Sequence, residues 1–235
     1  MHIFSPFDLA AVLVFALAWA AYAFIIEKTA HGRDGLNARM DRYREEWIRR
    51  MLDRDMRMTD MQIMAALQNG TAFFASTSLL AIGGALTLLR SPEDLLTVMA
   101  TLPLGVSGGR TLWEFKTIGL VVILVYAFFK FAWSYRLFNY VSILFGAMPP
   151  PDEKGKPETE AHVKRTARVF ESAGRHFNRG QRAFFFALGY LGWFAGPIVL
   201  IITTTVVVVV MWWRQYKSDS LRAVAQSEAG SSPQR

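Results

Sequence analysis

Residues 9–26 read LAAVLVFALAWAAYAFII, eighteen positions with no charged side chain. As a helix rising 1.5 Å per residue they extend about 27 Å, close to the roughly 30 Å hydrocarbon core of a bilayer. Three more apolar stretches follow, at about Thr71–Leu89, Ile118–Ala132 and Ala183–Trp213. The second and fourth are also long enough to cross, and the third becomes so if its helix continues toward Tyr140. Backbone polar groups in lipid must bond internally, so these stretches predict helices, including the β-branched run Thr203–Val210 that would favour a strand in water.

Composition agrees with a membrane chain. The 235 residues are 52% hydrophobic and 19% charged, with the charge segregated between the apolar stretches. Cysteine is absent, which removes disulfides, thiol nucleophiles and thiolate metal sites. No Lys or Arg precedes the first stretch, and it ends at Glu27-Lys28, so it reads as a retained span and not a cleaved signal. The net charge of +7 fits membrane topology and anionic lipid better than nucleic acid.

Counting cations gives an orientation. Segments 27–60 and 136–182 carry nine Lys plus Arg each, against three in 90–116 and four in 214–235. With four crossings, the positive-inside rule puts both rich segments in the cytoplasm and both termini outside, in an inner cell membrane.

The polar segments have their own patterns. After the turn-like His31–Gly35, Leu36, Met40, Tyr43, Trp47 and Met51 recur at helical spacing, and Glu45/Arg49, Glu46/Arg50 and Asp53/Arg57 are i,i+4 acid-to-base pairs. Val163, Ala167, Phe170, Gly174 and Phe177 form a similar stripe after the linker 149–160. The expected fold is an all-α membrane bundle over 1–217. Its four spans fall at about 7–26, 64–89, 115–135 and 183–213, and its two amphipathic cytoplasmic helices at about 36–60 and 160–178. A disordered tail covers 218–235. Ala16 and Ala20 offer a small-residue packing face on the first span. Thr71, Ser76, Thr77 and Ser78 are hydroxyls in the second, and such groups usually bond their own backbone. The outer connection has Ser91-Pro92-Glu93-Asp94 ahead of a short helix over Leu95–Leu102, with Pro103 and Gly105, Gly108 and Gly109 after it. At 31 residues the fourth stretch must tilt, bend or emerge, and Pro197 can kink it.

With this orientation, Asn69, Ser76, Lys130, Ser134, Arg136, Asn139, Asn178, Arg179 and Arg182 share one depth at the inner leaflet. Cations with amides and hydroxyls suit an anion or anionic lipid headgroup. Snorkelling side chains that bind nothing are the competing explanation, and Lys130 is the best single test because it lies deepest in an apolar run. No His-Glu-x-x-His, Gly-Lys-Ser/Thr loop or Gly-x-Ser-x-Gly occurs, so no metal, cofactor or catalytic residue is expected.

Three segments resemble signatures of the domain-of-unknown-function 599 family. They are Phe73-Phe74-Ala75-Ser76-Thr77-Ser78 with Gly83-Gly84, the stretch Lys130 to Tyr140, and Asn178-Arg179-Gly180-Gln181-Arg182 through Leu188. The similarity runs from about Phe7 to Ser218. It implies a bacterial or plant-type integral membrane protein of about four spans, and no activity. The resulting expectation is a non-enzymatic channel-like or carrier-like protein, self-associating and surrounded by membrane lipids. A membrane scaffold or accessory subunit that docks a cytoplasmic protein partner through its helices is the alternative, and a lipid-modifying enzyme ranks third.

Overall fold

The computed structural model describes residues 4–29, 35–90, 109–217, 219, 221 and 223. Most of the His31–Gly35 turn, the outer connection with its short helix over Leu95–Leu102, and the tail expected to be disordered lie outside these residues. The described residues form helices and no strand. They are α1 (Pro6–Lys28), α2 (Leu36–Met51), α3 (Met58–Arg90), α4 (Arg110–Gly146), α5 (Pro157–Tyr190), α6 (Gly192–Ala195) and α7 (Pro197–Tyr216), with a short 3-10 turn at Pro151–Glu153. Four of them, α1, α3, α4 and α7, are long and apolar enough to cross a membrane.

Contacts divide the chain into two compact units. One takes in residues 1–40, 88–120 and 185–235; the other 41–87 and 121–184. In the first unit, α1 begins with a capping box: Asp8 N–H donates to Ser5 Oγ (3.0 Å) and Ser5 N–H to Asp8 Oδ2 (3.3 Å), with Pro6 at the first helical turn. Phe15 meets Phe186 and Tyr190 edge-on at 5.6 and 5.3 Å, and Trp19 stacks on Phe186 at 5.3 Å. Asp8, Ala11, Phe15 and Tyr22 form the buried face of α1, while Ala16 and Ala20 are exposed. Bulky aromatic packing, not the small-residue face, holds this helix.

The fourth apolar stretch departs from a single crossing. Gly196 has φ +142°, a conformation that only glycine adopts readily, and Pro197 starts a new helix. The chain reverses there. Thr203 Oγ1 donates to Gly189 O at 2.7 Å, Gly192 faces Thr203 and Val199, Gly189 faces Val207, and Arg214 lies over the Phe185 ring at 5.5 Å. Rising numbers on α7 meet falling numbers on α5, so the two are antiparallel arms of a helical hairpin. The α5 arm is also antiparallel to α1, because Asp8 meets Trp193 while Phe15 and Trp19 meet Phe186. It is antiparallel to the start of α4 as well: Trp113 packs on Phe194 at 4.8 Å, and Gly119 accommodates the Tyr190 hydroxyl. Consequently α1, the start of α4, and α7 all run in the same direction. The stretch expected as one span at about 183–213 is thus two antiparallel arms, of which α7 is long and apolar enough to cross a membrane.

In the second unit, α2, α3, α4 and α5 enclose a core of Ile48, Met51, Leu52, Met64, Phe138, Val141, Phe145, Val163, Ala167 and Phe170. The apolar stripe of α2 is thus centred on Ile48 and Met51, with Trp47 at its edge and Tyr43 exposed. The helical segment expected over 36–60 is interrupted after Met51, and α3 starts at Met58. At that corner the fully buried Asp60 accepts from Trp47 Nε1 and Arg54, both at 2.6 Å. Arg57 donates to Met148 O (2.9 Å) and Pro149 O (2.8 Å), satisfying carbonyls just past the end of α4. The segment expected over 160–178 is continuous with the last apolar stretch in the single helix α5. Gly180 lets α5 close on α4: a Cβ there would stand 2.7 Å from the buried Phe131 ring, which Phe74 stacks at 5.3 Å.

Candidate functional site

The residues expected at the inner leaflet are best placed by the register of α4 against α5 over the parts of both helices in the second unit. Ser134 Oγ donates to Ala173 O at 2.8 Å, Phe131 packs on Phe177 at 5.7 Å, and Trp133 meets His176 edge-on at 6.4 Å. Each step back along α4 is a step forward along α5. By that register Lys130 and Arg179 fall at the same level of α4 and α5, each three residues beyond the Trp133–His176 contact. Arg182 follows Arg179 at the next i,i+3 position. Lys130 lies twenty residues from Arg110, about 30 Å along α4, the depth of a hydrocarbon core. Lys130 and Arg179 are half-buried, Trp133 is exposed, and the Lys130 ammonium sits over the Tyr126 ring at 5.0 Å. Lys130, Tyr126 and Trp133 of α4 and His176 and Arg179 of α5 thus lie within a few turns of one another along the register.

The other members of the expected set lie elsewhere. Ser134 is buried and its hydroxyl ties α4 to α5. Asn139 is nine residues from Lys130, about 180° around the helix, where its Oδ1 accepts from Gln68 Nε2 of α3 at 2.8 Å. Arg136 is exposed, turned from the face that packs on α5, and donates from Nε to the Tyr140 hydroxyl at 2.7 Å. Asn69 and Ser76 are exposed on α3. Asn178 is half-buried on α5, two residues past His176 and so well around the helix from the Trp133 flank. Arg182 is buried. Lys130, Arg136 and Arg182 do not converge, and the nine-residue set contracts to Lys130 and Arg179, with Arg182 behind them. Trp133 and His176 join it; their sequence signal was an aromatic within the Lys130–Tyr140 stretch and a histidine three residues before Arg179. The hydroxyls Thr71, Thr77 and Ser78 bond their own backbone, each at 2.8 Å to the carbonyl four residues earlier.

The first unit holds a charged group that the apolar patterns hid. Asp8 and Lys116 are each 6% exposed. Asp8 Oδ1 accepts from Trp193 Nε1 (2.8 Å) and Oδ2 from Ser5 Oγ (2.7 Å), while Lys116 Nζ donates to Trp193 O (2.8 Å) and lies 5.3 Å from the centre of that indole. The Ser5-x-x-Asp8 spacing was the available signal for one partner, and a lone lysine in the apolar run after Leu112 for the other.

All-helical architecture with four membrane-length helices defines a multi-pass membrane protein. Residues 10–220 match the family described as protein of unknown function, DUF599, and the chain belongs to that family. No curated protein and no solved structure matches it.

Proposed function

We propose that this chain is a non-enzymatic membrane protein that holds a phosphate-bearing lipid headgroup or a small anion at the cytoplasmic leaflet, on the flank shared by α4 and α5. The observation that carries the reading is the Trp133–His176 contact, which with the Ser134–Ala173 bond gives a register in which Lys130 and Arg179 share one level of α4 and α5. Two cations at one level of neighbouring helices add a positive potential that an anion at the bilayer boundary would meet. Arg supplies a bidentate donor and Lys a point charge, and a tryptophan beside them suits the interfacial zone. Binding is the first requirement of the channel-like or carrier-like protein expected from sequence, and it is the part these residues support. The scaffold alternative needs open apolar stripes, whereas Ile48, Met51, Val163, Ala167 and Phe170 are buried within their own unit.

The orientation belongs to the same proposal. The hairpin makes five crossings, with the N-terminus outside and the C-terminus in the cytoplasm. The four cations of 214–235 then join the nine of 27–60 and the nine of 136–182, leaving three in 90–116 on the outer side. That division obeys the positive-inside rule more closely than the four-crossing arrangement does.

Native mass spectrometry of the purified protein, with phosphatidylglycerol, phosphatidylcholine or inorganic phosphate added, tests the site. Lys130→Ala and Arg179→Ala should each retain about tenfold less phosphatidylglycerol, the loss expected for one charge-assisted bond. Arg136→Ala should behave as wild type because that side chain faces away. Inorganic phosphate competing with lipid would assign the site to the anion itself. Wild-type retention by both Ala variants, or an equal loss in Arg136→Ala, would remove the proposal.

A further inference from the structure

We infer that Asp8, Trp193 and Lys116 form a polar latch inside the first unit that holds the tip of the α5–α7 hairpin against the beginnings of α1 and α4. It shares no residue with the lipid or anion site. Three observations carry it. Both ionisable side chains are nearly fully buried, in helices long and apolar enough to cross a membrane. Both are joined through one residue, since the Trp193 indole donates to Asp8 at 2.8 Å and its carbonyl accepts from Lys116 at 2.8 Å. That residue sits immediately before the turn, where Gly196 N–H also donates to Trp193 O at 3.1 Å.

The energetics follow from burial. A lone carboxylate or ammonium withdrawn from water carries a desolvation cost that a partner of opposite charge offsets. Asp8 and Lys116 are bridged by a hydrogen-bonding residue, so each compensates the other only while Trp193 lies between them. Leaving the tip would strand both charges in the membrane. The latch thereby favours the turned arrangement over a straight 31-residue helix from Ala183 to Trp213, which the apolar composition alone would allow. Trp113 packed on Phe194 at 4.8 Å supports the tip from the α4 side, but dispersion between rings does not discriminate partners as a charge pair does.

Thermal unfolding of the full chain in detergent, as a double-mutant cycle, tests this. Asp8→Asn and Lys116→Met should each lower the midpoint by several degrees, because each leaves one buried charge uncompensated. The double variant Asp8→Asn/Lys116→Met should lose clearly less than the two single losses combined, since it buries no charge. Trp193→Phe keeps the ring and the carbonyl but removes the indole donor, and should lose less than Asp8→Asn. If a single variant yields no folded protein, recovery of folded protein in the double variant supports the latch equally. Additive losses, unchanged single variants, or a double variant recovered no better than the worse single would overturn it.

Discussion

Arg49 shows how one residue joins two elements. Its guanidinium donates to Glu45 on its own helix at 2.9 Å and to Glu160 at the start of α5 at 2.8 Å. The hydrogen bond and charge of Arg49 hold the Glu160 carboxyl below its ordinary range, and Glu160 in turn raises Arg49. The lowered acid contributes stability that is present above the ordinary glutamate pKa and is lost as pH falls through the lowered value. Asp41 has the opposite sign: burial raises its carboxyl despite Arg44, so its contribution is present at low pH and is lost as pH rises through the raised value. Glu160→Gln should therefore be slightly less stable than wild type at neutral pH, and the difference should close on acidification. Unfolding midpoints measured across pH 7 to 3 check this; a difference that stays constant would show that the pair is not the cause. The effect is modest because both side chains are about 40% exposed.

At the scale of the element, the hairpin rests on three glycines with different duties. Gly192 admits Thr203 where a Cβ would collide, Gly189 leaves only a tight fit beside Val207, and Gly196 supplies the positive φ of the turn. Thr203 bonds Gly189 O on the facing arm in addition to Val199 O on its own helix at 2.9 Å. Gly196→Val should destabilise by about 1–3 kcal/mol, because a β-branched residue at that φ is strained. Thr203→Val, nearly the same shape without the hydroxyl, should cost about 1 kcal/mol through the lost bond between the arms. Chemical or thermal unfolding in detergent measures both. If α7 were a straight continuation of α5, Thr203→Val would be near neutral.

For the whole molecule, the direction of α7 has a direct consequence. The chain contains no cysteine, so a single cysteine placed after Arg235 is the only thiol present. In the proposed arrangement of five crossings with the N-terminus outside, a membrane-impermeant maleimide should label that thiol only after the membrane is opened. A thiol placed before Met1 should label in intact cells. Labelling of both termini in intact cells would restore the four-crossing arrangement and exclude a crossing hairpin.

Sequence alone determined that this chain is helical and carries several stretches long enough to cross a membrane, with its cations concentrated in two of the segments between them. The physical reason is that a bilayer makes demands readable in any one segment, namely enough apolar length, internally bonded backbone and few buried charges. It also gave the level of Lys130 along its helix, because position along a helix follows from counting residues. Tertiary structure decided what counting cannot. Arg136 and Asn139 share that region of α4 with Lys130, but lie at angles that take one toward the exterior and the other toward Gln68. Only the register against α5 shows which angle faces a cation. Likewise Gly196-Pro197 is compatible with a kink or a reversal, and Asp8 and Lys116 are unremarkable apart. Contacts between residues distant in the chain, such as Trp193 with Asp8 and Thr203 with Gly189, turned that stretch into a hairpin.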